Sequence, residues 1–80
     1  MNNEYQTSDF PTSIVLLLRR HRLLEVDRSN PRRVVFSFEQ TTALERDLDH
    51  LAVGKLRVDP MEFWAAERRC KSLIYNSHEL

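Results

Sequence analysis

The stretch HRLLEVDRSNPRRVVFSFE, residues 21–39, decides the fold. In its first half, Leu24 and Val26 alternate with Glu25 and Asp27; in its second, Val34, Phe36 and Phe38 alternate with Val35, Ser37 and Glu39. Successive side chains of a strand point to opposite faces, so each half predicts a strand with one face buried. Between them, Arg28, Ser29, Asn30, Pro31 and Arg32 supply turn chemistry, and the two strands close as a hairpin. The same region is crowded with positive charge: Arg19, Arg20, Arg22, Arg28, Arg32 and Arg33 are opposed locally only by Glu25 and Asp27.

Working outward toward the start of the chain, Phe10, Ile14, Leu17 and Leu18 fall on one helical face, which predicts a helix ending near His21. Val15 and Leu16 lie off that face. Ser8 and Asp9 are N-cap candidates for this helix, and Glu4 to Thr7 ahead of them read as a short strand. Toward the end of the chain, Thr42 and Glu45 have capping-box spacing ahead of a helix with Leu44, Leu48 and Leu51 inward. Gly54 is placed to stop that helix. Asp59, Pro60 and Glu62 then open a third helix, which is expected to run to about Tyr75.

The resulting order is β-α-β-β-α-α. The fold class is therefore α+β, with a small three-stranded sheet, expected antiparallel, and three helices packed on one face. The other face, with Leu23, Glu25, Asp27, Val35 and Ser37, is left exposed or available to a partner. The chain contains one glycine and no Gly-, Ser- or Pro-rich run, which predicts a single domain over residues 4–76 with fraying ends at 1–3 and 77–80.

Hydrophobic residues make up 41% of the chain and charged residues 30%, a composition that folds. Twelve basic side chains balance twelve acidic ones. Zero net charge argues against a surface devoted entirely to phosphate. The charge is nonetheless segregated, because Glu39, Glu45, Asp47 and Asp49 follow the basic hairpin with only Arg46 among them. The apolar run of residues 14–18 is far shorter than the roughly 20 residues a membrane helix needs, and no signal-peptide pattern opens the chain. Cys70 is the lone cysteine, so no internal disulfide forms; a cytoplasmic, reducing location and no membrane partner are expected.

Residues 7–10 (TSDF), residues 20–23 (RHRL), Asp59 with Pro60, and residues 71–75 (KSLIY) together resemble a family of small proteins from bacterial, archaeal and mobile-element genomes that is catalogued as a domain of unknown function. The resemblance spans Tyr5 to Asn76. Its motifs are mostly caps and core positions, so it implies the fold and transfers no site. Where that family commonly has glycine at the end of the first helix, this chain has Arg20, and another residue or a looser turn must supply the stop. Where the family favours small alanines, this chain has Ser13 and Ile14.

An enzyme would need a nucleophile with its base, paired carboxylates or a metal cluster. His21, His50 and His78 lack metal-ligand spacing and there is no Gly-rich phosphate loop, so no catalytic residue, metal or cofactor is expected. His21 reads as a histidine closing the first helix rather than a pH-sensitive group. Cys70 shares a helix face with Phe63, Ala66 and Leu73 and reads as a small core residue.

Two surfaces are candidates for binding. The first is a basic patch of Arg19, Arg20, Arg22, Arg28, Arg32 and Arg33, against which stands the reading of solvated turn residues with Arg33 paired to Glu25 or Asp27. The second is the stripe Trp64, Arg68, Lys71 and Tyr75 on the third helix, which either anchors a partner or lies over the edge of the core. Val15, Leu16, Val35 and Trp64 remain after one core is assigned. The leading expectation is a small non-enzymatic interaction module that binds another protein or itself. The alternative is an accessory nucleic-acid-binding protein that uses the hairpin arginines on phosphates and the last helix for stacking.

Overall fold

The computed structural model describes residues 3–75. The elements are β1 (Glu4–Thr7), α1 (Phe10–Leu18), β2 (Leu23–Asp27), β3 (Val35–Glu39), α2 (Thr42–Ala52) and α3 (Pro60–Tyr75). The fold is α+β, and both strand pairs are antiparallel in the order β1-β3-β2, which makes β3 the central strand. Of the ends expected to fray, Met1, Asn2 and residues 77–80 lie outside the described residues. The Asn3 carbonyl accepts a hydrogen bond from the Gln40 amide at 2.7 Å.

Register explains which strand residues enter the core. Tyr5 and Thr7 lie opposite Phe38 and Phe36, and Leu23 and Val26 flank the same two phenylalanines from the other side. Phe36 and Phe38 are sealed from solvent with ring centroids 6.4 Å apart. Burying side chains of this size stabilises the fold by roughly 1.5–3 kcal/mol each.

The alternation read for β2 needs a correction. A bulge between Leu23 and Glu25 inserts one residue, so that Leu23 and Val26 both pack against the core while Leu24 is 42% exposed. Two residues of a bulged strand oppose one of its partner, and the inward set shifts by one position at that point. Ser37 corrects the reading of the second sheet face, since it is buried rather than available. It lies between Gln6 and Glu25 on the neighbouring strands, and its hydroxyl accepts a hydrogen bond from the Gln6 side-chain amide at 3.3 Å.

Helix α1 starts at Asp9, whose carboxylate accepts from the Thr12 amide and hydroxyl at 3.0 and 2.6 Å. Ser13 to Leu17 are all buried, which overturns the expectation that Val15 and Leu16 are left over. The helix touches both α2 and α3 and contributes Ile14, Leu16 and Leu17 to the core shared with the strands, so it is covered nearly all round. The buried Ser13 hydroxyl donates to the Asp9 carbonyl at 2.9 Å and is thereby satisfied.

Helix α2 is capped one residue earlier than its sequence spacing suggests. Thr41, not Thr42, accepts from the Leu44 amide at 3.0 Å, and Glu45 takes the Gln40 side-chain amide at 2.9 Å instead of closing a box. Gly54 ends the helix at φ 72°, with its own amide bonded to Leu51 and that of Lys55 to His50. This double bond over a left-handed residue is the Schellman arrangement. In α3, Asp59 caps the Glu62 amide and Pro60 occupies the first helical position, as read from sequence. Phe63, Ala66, Cys70 and Leu73 of α3 meet the core.

Candidate functional site

The junction between α1 and β2 holds much of the molecule's basic character, and its geometry begins with backbone. After Leu18 the Arg20 amide donates to Leu17 and the His21 amide to Leu16, at 3.0 and 3.1 Å. This is the same Schellman stop that Gly54 provides for α2, but here the left-handed residue is Arg20, at φ 65°. The missing glycine is thus replaced by neither another residue nor a looser turn. Arg20 adopts the strained conformation itself, at a cost of roughly 1–2 kcal/mol.

His21 closes α1 with its amide and reaches α2 with its ring. Its Nε2 lies 2.6 Å from Oδ2 of Asp47, and Arg19 Nε donates to the same oxygen at 3.1 Å. Asp47 is 5% exposed. Burial pushes its carboxyl upward, but the hydrogen bonds and charges of Arg19 and His21 outweigh that and hold it below the ordinary carboxylate range. The sequence shows Asp47 only as one of an acidic run, although it sits on the Leu44, Leu48, Leu51 stripe of α2. A carboxylate on an inward stripe calls for a cation from elsewhere in the chain.

The six arginines of the expected basic patch are not brought together. Arg19, Arg20 and Arg22 lie before β2 and Arg28, Arg32 and Arg33 after it, at opposite ends of a strand that itself spans about 13 Å. Arg19 is engaged with Asp47. Arg28 reaches across to the end of α3, where Nε donates to the Leu73 carbonyl at 2.6 Å and Nη1 to Val26 at 3.4 Å. Arg32 and Arg33 are exposed turn residues, and the pairing of Arg33 with Glu25 or Asp27 is not formed among the described residues.

Arg20 and Arg22 instead face a cleft that also takes residues from α3. The cleft has a volume of about 610 Å³. Leu17, Leu18, Leu23, Ala65 and Ala66 form its apolar lining, and Arg20, Arg22, Arg69, His21 and Glu62 supply its polar groups. In the sequence Glu62 reads only as a helix-start residue and Arg69 is not singled out, because contact between α3 and the α1–β2 junction is set by tertiary packing. No spacing along the chain encodes it.

Trp64, Arg68, Lys71 and Tyr75 of α3 are all exposed. Trp64 is 52% exposed and Tyr75 71%, and Met61, one turn ahead of Trp64, is 66% exposed. The Arg68 guanidinium carbon stands 5.1 Å from the Trp64 ring centroid. A cation at this distance is drawn to the ring face. Lys71 pairs with Glu67 at 3.4 Å, and Arg68, Lys71, Ser72 and Tyr75 border a shallow depression.

Cys70 is fully buried in the core with its thiol pushed up to about 11, chiefly by burial and secondarily by the charge of Glu67. Among the described residues no group of three or more His, Cys, Asp or Glu side chains is arranged to hold a metal ion. No described helix is long and apolar enough to cross a membrane.

A family model described as "Domain of unknown function (DUF5659)" matches residues 2–76 of the chain. Comparison with curated proteins and with solved structures finds no match.

Proposed function

The chain belongs to the DUF5659 family, a domain of unknown function, and we propose that it is a non-enzymatic interaction module that docks on another protein through the outward face of α3. The observation that carries this reading is Trp64, half exposed beside Met61 and under the guanidinium of Arg68. Tryptophan, tyrosine and arginine are the usual anchors of protein interfaces. The basic groups Arg68 and Lys71 along the same stripe favour a partner whose surface is acidic around an apolar centre. A reducing, cytoplasmic setting is part of the reading and agrees with the lone buried thiol of Cys70.

The nucleic-acid alternative draws on the same stripe, since bases also stack on Trp64 and phosphates suit Arg68 and Lys71. It is weakened by the hairpin, where Arg28 already commits Nε and Nη1 to backbone carbonyls and has fewer donors left for phosphate. Salt separates the two readings, because phosphate contacts weaken steeply as counterions compete.

The experiment is paired affinity capture from cell extract with the wild-type chain and Trp64→Ala. The recovered partner is then titrated in purified form at two salt concentrations, beside single-stranded and duplex nucleic acid. A protein bound by the wild type at least tenfold more tightly than by the variant, with a shallow salt slope, supports the reading. Equal binding by both chains, or tight binding of nucleic acid alone with a steep slope, sinks it. Association of the chain with itself, with no other protein recovered, appears as concentration-dependent mass and sinks it also.

A further inference from the structure

We propose that the cleft between the α1–β2 junction and α3 is a binding site for a small organic dianion with an apolar body, a phosphate monoester being the simplest. This site is separate from the outward face of α3 and does not depend on the reading given to that face. Three observations converge on it. The cleft volume of about 610 Å³ falls within the range of roughly 300–1,000 Å³ usual for small-molecule sites. Arg20, Arg22 and Arg69 bring three guanidiniums to it against the single carboxylate of Glu62, and none of the three donates to a side chain among the described residues. Its apolar lining is continuous with the core through Leu17 and Ala66.

Arg20 supplies the most specific argument. The backbone there is left-handed, a conformation that glycine adopts without cost and arginine does not. Strained residues of this kind cluster at ligand-holding sites, where the surrounding structure fixes them. Here the side chain lines the cleft together with Arg69 of α3. The planar forks of arginine match the oxygens of phosphate and carboxylate. An anion held between Arg20, Arg22 and Arg69 would turn its apolar portion toward Leu23 and Ala65.

The test uses phenyl phosphate, with inorganic phosphate and benzyl alcohol as the two half-ligands. Binding is followed by calorimetry and by amide chemical shifts of the full chain. Phenyl phosphate is expected to bind with a dissociation constant on the order of 1 mM or lower, and both half-ligands more weakly. The shifts should centre on Leu23 and Ala65. Arg20→Gly removes the guanidinium while relaxing the backbone, so the variant remains folded and should lose about tenfold in affinity. Glu62→Gln removes the opposing charge and should tighten binding. Phenyl phosphate binding no better than benzyl alcohol overturns the proposal. So does undiminished binding by Arg20→Gly, or a shift pattern centred on Tyr75 and Lys71.

Discussion

Asp47 of α2 and His21 at the end of α1 meet at 2.6 Å, with Arg19 sharing the same carboxylate oxygen. This buried group ties two helices that otherwise touch little. Replacing Asp47 by alanine leaves an inward histidine and a half-exposed arginine without their acceptor, and should cost about 1–3 kcal/mol in chemical denaturation. The folded carboxyl lies below its ordinary value of 3.8. Its contribution is therefore complete above that value and is lost as the pH falls below it. The wild type should lose stability more steeply than Asp47→Asn on acidification below about pH 4.

The left-handed Arg20 predicts a substitution that improves the fold. Arg20→Gly should raise stability by about 1 kcal/mol, and the melting temperature of a domain this small by about 4–8 °C. Arg20→Val should act in the opposite direction, because a branched β-carbon tolerates positive φ least. Thermal melts of the three chains test the order.

Arg28 joins the hairpin turn to the last turn of α3 through the Leu73 carbonyl. Cations at a helix C-terminus also complement its dipole. Arg28→Ala should cost roughly 1–3 kcal/mol and speed hydrogen exchange at the end of α3 while leaving its first turn, capped by Asp59, unaffected. Uniform exchange along α3 in the variant would mean that the contact does no local work.

Cys70 should resist thiol reagents in the native chain. It is fully buried, and its thiol pKa of about 11 leaves little thiolate at neutral pH. Labelling should proceed only as fast as the core opens, so its rate should rise with denaturant in step with unfolding. Prompt labelling in buffer would contradict the packing of α3.

The order of elements, the hairpin and the limits of α3 were legible because local signals carry them: strand alternation, Asp59 with Pro60, and turn residues between two apolar runs. Three features were not. The bulge at Leu24 adds one residue without altering composition, so alternation alone misassigns Leu23 and Leu24. The burial of Val15 and Leu16 depends on what covers α1 from more than one side, and a single-face reading assumes one neighbour. The arginines looked like one patch because they are close in sequence, whereas β2 separates them and Asp47 and Leu73 engage two of them. The stripe from Trp64 to Tyr75 was readable because a helix preserves its periodicity at the surface.

The bulge at Leu24 bears on more than side-chain placement. β2 is an outer strand of an open sheet, and a flat outer strand invites pairing with the same strand of another molecule. An extra residue breaks the regular spacing of amides and carbonyls along that border, and the neighbouring Glu25 and Asp27 add mutual repulsion between copies. The irregularity that disrupts the reading of the hairpin therefore also works against fibrous stacking of molecules through the open border of a three-stranded sheet.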